Sequence, residues 1–191
     1  MVFREPTPLT KADGINFPQF KPLQELTGPW ALGFDPQWGG PPTAEFNPLV
    51  SWTQRPEDGI KFYSGTATYR KTFDHSLGTP VNHPATSRLV LDLDAVRDLA
   101  NVRLNGRNLG IVWTAPWQLD ITDAVKPGTN ALEIRVTNLW PNRLRGDLAR
   151  PVEQRLTSTN ITADRIPALL SSGLLGPVRI VTDLTPQAGY R

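Results

Sequence analysis

Apolar and polar residues alternate with a period of two along much of this chain, and each alternating run predicts a β-strand. In "GTATYRKTFD" (65–74), Ala67, Tyr69, Lys71 and Phe73 interleave with Thr66, Thr68, Arg70 and Thr72. "RLVLDLD" (88–94) sets Leu89, Leu91 and Leu93 against Val90, Asp92 and Asp94, and "NALEIRVTN" (130–138) sets Leu132, Ile134 and Val136 against Glu133, Arg135 and Thr137. "GPWALGFD" (28–35) predicts a first strand with Trp30, Leu32 and Phe34 on one face, and "GPVRIVTDL" (176–184) a last one. In "NVRLNGRNLGIVW" (101–113), Asn105-Gly106 separates two alternating runs and predicts a tight hairpin, because both residues tolerate positive φ. A single helical turn is expected at Thr122 to Val125, stopped by Pro127-Gly128.

Between these runs the pattern breaks. Residues 1–26 are rich in Pro, lack periodicity and predict a linker or surface arm. "PQWGGPPTAEFNPLVSW" (36–52), the polar stretch 75–87 and residues 139–176 predict long loops, and 185–191 a frayed tail. Short alternating strands with almost no helix define an all-β chain, an antiparallel β-sandwich or jelly roll over 27–184. The 19 Pro and 15 Gly among 191 residues suit such a loop-rich domain.

Composition narrows the chemistry by exclusion. A net charge of +2 with scattered Lys and Arg gives no basic stripe for nucleic acid. The absence of Cys excludes disulfides, thiol catalysis and Cys-based zinc sites. No run of 18 apolar residues is present to span a membrane. The start "MVFREPTPLT" has no apolar core of a signal peptide, so localisation is left open. There is no G-x-S-x-G, H-E-x-x-H, P-loop or G-x-G-x-x-G. His75 and His83 are expected as solvated loop residues, and the Asn160-Ile161-Thr162 sequon is short enough to arise by chance.

The most unusual stretch is "VTNLWPNRLRGD" (136–147), where a strand runs into Trp140, Asn142, Arg143 and Asp147. One reading is a sugar subsite. Trp140 would stack on a pyranose face, and Asn138, Asn142, Arg143 and Asp147 would bond ring hydroxyls, since such sites combine an apolar wall with a few placed polar groups. The other is a structural corner, with Trp140 as a plug and Arg143–Asp147 as an i, i+4 ion pair. Trp38 and Trp52 could form an aromatic platform or pack a loop onto the sheet, the latter being favoured. Trp113 and Trp117 are expected to be mainly structural. Asp92 and Asp94 raise calcium, which takes several oxygen ligands, against a solvated strand face. Hydrolysis of a glycoside would need two carboxyls about 5–5.5 Å apart for retention or about 6.5–9.5 Å for inversion. Glu45, Asp147 and Glu153 lie in predicted loops as weak catalytic candidates, and Glu57-Asp58 in "RPEDG" reads better as a turn.

Three stretches taken together resemble a known module. "YSGTATYRKTF" (63–73), "VRLNGRNLGIVWTAPWQLDITDAVKPGTNALEIRVTN" (102–138) and "SGLLGPVRIV" (172–181) are similar to the galactose-binding-like β-sandwich of glycoside hydrolases, including the sugar-binding domain of family 2 glycosidases. "LTGPWALGFDPQWGGP" (26–41) and "VTNLWPNRLRGD" look like the C-terminal portion of bacterial alpha-L-rhamnosidases of glycoside hydrolase family 106. Those enzymes are several times longer and carry their catalytic carboxylates on a separate barrel, so no catalytic residue transfers. The resemblance implies a non-catalytic module that binds sugar or supports a catalytic barrel. Its partners would be plant or microbial polysaccharide, rhamnose-containing glycans among them, and the barrel itself, with neither nucleic acid nor membrane. It requires no cofactor, although calcium is compatible, and the resembled enzymes suggest a periplasmic or secreted setting. A small stand-alone hydrolase using loop carboxylates and a purely structural interdomain module are the alternatives.

Overall fold

The computed structural model describes residues 19–76 and 88–183. Two antiparallel sheets face each other. The larger comprises β2 (Trp30–Gly33), β3 (Ala44–Phe46), β4 (Thr66–His75), β7 (Leu99–Leu104), β8 (Arg107–Val112) and β10 (Gly128–Thr137), in the order β3-β2-β4-β10-β7-β8. The smaller orders β1 (Phe20–Glu25), β12 (Arg179–Asp183), β5 (Arg88–Asp92) and β9 (Gln118–Asp120) as β1-β12-β5-β9. A short pair, β6 (Val96–Arg97) with β11 (Gly173–Leu174), lies beside them. The expected antiparallel β-sandwich is what the chain forms.

The predicted parity places the core. Ala67, Tyr69 and Phe73 of β4, Leu132, Ile134 and Val136 of β10, and Ala100, Val102 and Leu104 of β7 all point inward, meeting Leu91 and Ile180 of the smaller sheet in one buried cluster. Their alternate neighbours face outward because side chains on a strand leave by opposite faces. Asn105 and Gly106 take φ of 53° and 82° at the β7–β8 turn, as the hairpin requires. Residues 121–125 make the single expected turn, with the Val125 amide donating to the Ile121 carbonyl at 2.9 Å.

Several expectations change. The arm predicted over 1–26 is a sheet edge from Phe20 onward, since β1 pairs with β12; its register shifts between Pro22 and Gln24, where a proline removes a ladder donor. The loop 36–52 contains β3, which pairs with β2. The loop 139–176 contains helix α2 (Pro141–Leu148) and β11. Glu57 and Asp58 begin the one-turn helix α1 (Asp58–Lys61), close to the predicted turn. His75 is buried at the end of β4 and is not a solvated loop residue. His83, the stretch 77–87 and the tail fall outside the described residues.

One end of the core is aromatic. Phe34 meets Tyr63 and Trp52 edge-on at 4.9 and 5.4 Å between ring centres, and Trp30 and Phe46 meet Tyr69 at 6.4 and 6.3 Å. Trp52 Nε1 donates to Tyr69 Oη at 2.6 Å, and the Leu174 amide donates to the same oxygen at 3.1 Å. Burial pushes the Tyr69 hydroxyl far above its usual range, so it stays a neutral partner. Gly173 passes directly over this bond. A methyl group there would press into Trp52 Nε1 and stand 2.7 Å from Tyr69 Oη, at a φ of +101°. At Gly106 a methyl group meets nothing within 4 Å. Gly173→Ala should therefore lower unfolding free energy by about 2–4 kcal/mol, against about 1–2 kcal/mol for Gly106→Ala, whose cost is backbone strain alone. Urea unfolding of the two variants checks this, and equal losses would show that the Trp52–Tyr69 contact does not govern the site.

Candidate functional site

The chain leaves β10 at Thr137 and turns into α2, with Trp140 as its N-cap and Pro141 at the first helical position, where a missing N–H does no harm. The helix buries Asn142, Arg143, Gly146 and Asp147, one face by i, i+4 spacing. That face is polar. Asn138 lies just before it and is also buried.

These side chains bond inward. Asn138 Nδ2 donates to the Tyr63 carbonyl and to Ser172 Oγ at 2.9 and 3.0 Å, and its Oδ1 accepts from the Gly65 amide at 2.9 Å. Asn142 exchanges hydrogen bonds with the Leu170 backbone, both at 2.8 Å, and donates to Ser172 Oγ at 2.9 Å. Ser64 Oγ accepts from the Arg143 amide at 3.0 Å and donates to the Leu139 carbonyl at 2.8 Å. The network ties together residues 51, 63–65, 138–143 and 170–172, segments that carry backbone into the interior and must satisfy it there.

Arg143 and Asp147 make the expected i, i+4 ion pair, with Nε 3.2 Å from Oδ1 and side-chain exposures of 0% and 4%. The contact is close but not aligned for a hydrogen bond, and among the described residues the three guanidinium nitrogens have no hydrogen-bond partner. Burial pulls the Arg143 guanidinium below its usual range, and the neighbouring Asp147 charge offsets part of that pull. Asp147 Oδ2 accepts from the Thr157 amide and hydroxyl at 2.9 and 2.6 Å, which pins the following loop.

The subsite expected of Asn138, Asn142, Arg143 and Asp147 is thus turned inside. These residues brace the corner, and solvent reaches little of them. Trp140 is different: it is 46% exposed and meets the half-buried Trp38 edge-to-face at 5.0 Å. Trp52 is a core residue, Trp117 packs partly against the core, and Trp113 stands in solvent.

The carboxylate candidates sit in different settings. Glu45 is exposed on β3 and lines a groove on the outer face of the larger sheet, a groove that includes neither Asp147 nor Glu153. Asp147 is occupied as described, and Glu153 is exposed in the loop after α2. Asp92 accepts from the Asp94 amide at 3.0 Å and from Gln118 Nε2 at 3.3 Å, a local turn with Asp94 at φ 58°. Among the described residues no group of three or more His, Asp or Glu side chains is gathered for a metal ion.

The buried polar helix face and the loop surface over it are what sequence periodicity misses. Arg70, Arg103 and Arg135, whose strand register brings them together on the outer face, were legible only as ordinary polar positions.

Two antiparallel sheets closed over one core, with loop chemistry gathered at one end, define a galactose-binding-like sandwich. Residues 53–166 match the family model for the glycosyl hydrolase 2 galactose-binding domain-like family, and the chain belongs to that family. The solved rhamnosidase of Novosphingobium sp. PP1Y is 36% identical and superposes with a TM-score of 0.76 over 86% of this chain and 15% of its own. A Formosa agariphila protein bearing a provisional beta-glucuronidase name is 40% identical over 179 residues, covering 81% of this chain and 15% of that protein. The beta-glucuronidase of Bifidobacterium dentium, at 20% identity and a TM-score of 0.58 over 87% of this chain and 30% of that one, shares the fold. The chain therefore spans only a small part of the length of these relatives, and the resemblance to rhamnosidases read from its motifs holds.

The buried pair generates a double-mutant cycle. Asp147→Asn leaves the Arg143 cation buried without a counter-charge and should cost about 3–5 kcal/mol. Arg143→Met removes the cation at similar volume and should cost less. The double variant should recover most of the Asp147→Asn loss, because the stranded charge is gone. Urea unfolding measures all three, and simple addition of the two single losses would mean that the charges do not interact.

Proposed function

We propose that this domain is a non-catalytic accessory module of a longer carbohydrate-active enzyme, and that the segment 139–170 is the surface on which a catalytic domain rests. The observation that carries the reading is a mismatch between inside and outside. The polar side chains on the buried face of α2, Asn142, Arg143 and Asp147, are turned inward, while most of the segment's large apolar side chains face solvent. Six of the eight large apolar side chains exposed among the described residues belong to it: Leu139, Trp140, Val152, Leu156, Ile161 and Leu170. Exposed apolar groups concentrated in this way mark a contact surface. Residues 149–171 add few buried side chains of their own, Ile166 being the main one, so the loop is anchored at points and spread outward. Arg145 supplies another anchor by donating to the Ile166 and Pro167 carbonyls.

The wider reading follows from the relatives. The 36%-identical Novosphingobium protein is a rhamnosidase, which makes a polysaccharide with rhamnose-type units the first substrate class to consider for the whole enzyme. The reading requires no cofactor, and calcium enters only as a variable to be tested.

Two experiments bear on it. In the first, the superposing segment of the Novosphingobium rhamnosidase is replaced by this domain, with and without Leu139→Asp, Trp140→Asp and Leu170→Asp together. The unsubstituted chimera should hydrolyse an aryl rhamnoside. The substituted chimera should lose soluble yield and activity, while the same substitutions in the isolated domain shift its Tm little. Undiminished activity of the substituted chimera would remove the docking surface. In the second, the isolated domain is incubated with a panel of aryl glycosides, aryl alpha-L-rhamnoside included, with and without calcium. No turnover is expected; turnover abolished by Glu45→Gln or Glu153→Gln would instead make this a minimal hydrolase.

A further inference from the structure

The outer face of the larger sheet carries a second, separate surface. Strand register sets its side chains in rows. One row runs Glu45, Ala31, Arg70, Glu133, Arg103 across β3, β2, β4, β10 and β7. The adjacent row runs Gly33, Thr68, Arg135, Asn101 across β2, β4, β10 and β7. Gly33 and Ala31 leave β2 low, and two recesses open over the face. One, of about 800 Å³, is lined by Glu45, Arg70, Arg103 and Glu133. The other, of about 520 Å³, is lined by Thr66, Thr68, Arg70, Arg135 and Trp38. Arg70 borders both, so they form one continuous track leading toward the Trp38–Trp140 pair.

The lining of the track carries Arg70, Lys71, Arg103 and Arg135 against Asp35, Glu45 and Glu133, an excess of one positive charge, and two of the arginines stand unpaired among the described residues. Arg70 reaches Glu133 at 3.2 Å, an exposed pair. Arg103 and Arg135 are exposed, and their guanidinium groups make no hydrogen bond or ion pair among the described residues. Each lies diagonally from its neighbour across the strands, a backbone separation of roughly 7–8 Å. Two free guanidinium forks beside a third suit planar carboxylates, which they bind with two parallel hydrogen bonds. The threonine hydroxyls of Thr66 and Thr68 and the indole of Trp38 supply what a polyanion alone would not need: partners for sugar hydroxyls and an apolar face for a pyranose ring. A track with its aromatic group at one end, on a chain of net charge +2, lacks the stacked bases' platforms that single-stranded nucleic acid uses.

We propose that this face binds an acidic oligosaccharide, a glycan whose uronate carboxylates pair with Arg135 and Arg103 while a sugar ring rests against Trp38. The site is distinct from the loop surface over α2, and its test is independent of the docking reading, because it uses the isolated domain.

The probes are oligogalacturonate, oligoglucuronate and oligomannuronate of equal length, with methyl-esterified oligogalacturonate and a short single-stranded DNA as controls, titrated calorimetrically at two salt concentrations. At least one uronate should bind, esterification should weaken it by about tenfold or more, and Arg103→Gln with Arg135→Gln should do the same at unchanged Tm. Trp38→Phe should weaken the uronate and leave DNA unaffected. Absence of binding to all three uronates overturns the proposal. So does equal binding of the neutral ester, a double variant that binds as well as the wild type, or DNA bound as tightly as the best uronate.

Discussion

Gly173 lies where the chain crosses the Trp52–Tyr69 hydrogen bond, and the loop end of the sandwich depends on that crossing. Tyr69 belongs to a central strand, Trp52 to the segment between β3 and α1, and Gly173–Leu174 to the return from the long loop. Three distant parts of the sequence thus meet at one phenolic oxygen. The edge-on rings around it contribute about 0.5–1.5 kcal/mol per pair beyond simple burial, but their geometry matters more than their sum. The crossing residue needs a positive φ and no side chain, so only glycine lets the backbone pass close enough for the Leu174 amide to reach Tyr69.

The polar network extends this constraint outward. Ser172, next to Gly173, accepts from Asn138 and Asn142, and its amide donates to Ser51 Oγ at 3.0 Å, one residue from Trp52. Aromatic packing and amide bonding therefore share the same short stretch of chain. An amide side chain suits this role because it donates and accepts at once, and so substitutes for a missing strand partner. The ion pair farther along α2 is of another kind. With three guanidinium nitrogens lacking hydrogen bonds among the described residues, Arg143–Asp147 adds little net stability, since desolvation consumes most of the Coulombic gain. Its value lies in position: Asp147 holds Thr157, and through it the start of the exposed loop.

How far the sequence reveals this structure follows from which faces are apolar. β4, β10 and the β7–β8 hairpin are legible because one face of each is buried and apolar, and the turn residues match the turn. Helix α2 is not, because its buried face is Asn142, Arg143, Gly146 and Asp147, the reverse of the pattern that announces a helix. β3, β6 and β11 are two or three residues long, too short for any period, and Pro22 disguises β1. The cluster at 138–147 stands out in the sequence as too polar and aromatic for a plain strand end. That unusual polar chemistry belongs to the inside of the corner, with Leu139 and Trp140 the members of the group that are substantially exposed. The arginines of the outer face escape notice for the opposite reason: each reads as a solvated strand position, and only register makes them neighbours.

The two surfaces follow from one asymmetry. A sandwich in a longer protein has two kinds of free surface, loop ends and sheet faces, and they favour different partners. The loop end after β10 is irregular, its buried amides and carboxylate are tied inward, and it carries six exposed large apolar side chains, so its capacity is for burial against another folded surface. The sheet face is regular and charged, and its strand spacing repeats, so its capacity is for a chain with repeating groups of its own. Trp38 and Trp140 stand where the two surfaces adjoin, Trp38 lining the track and Trp140 rising from the loop end. A catalytic domain seated on the loop end would bring its edge to the end of the track, so that a glycan held along the arginines would be presented toward it.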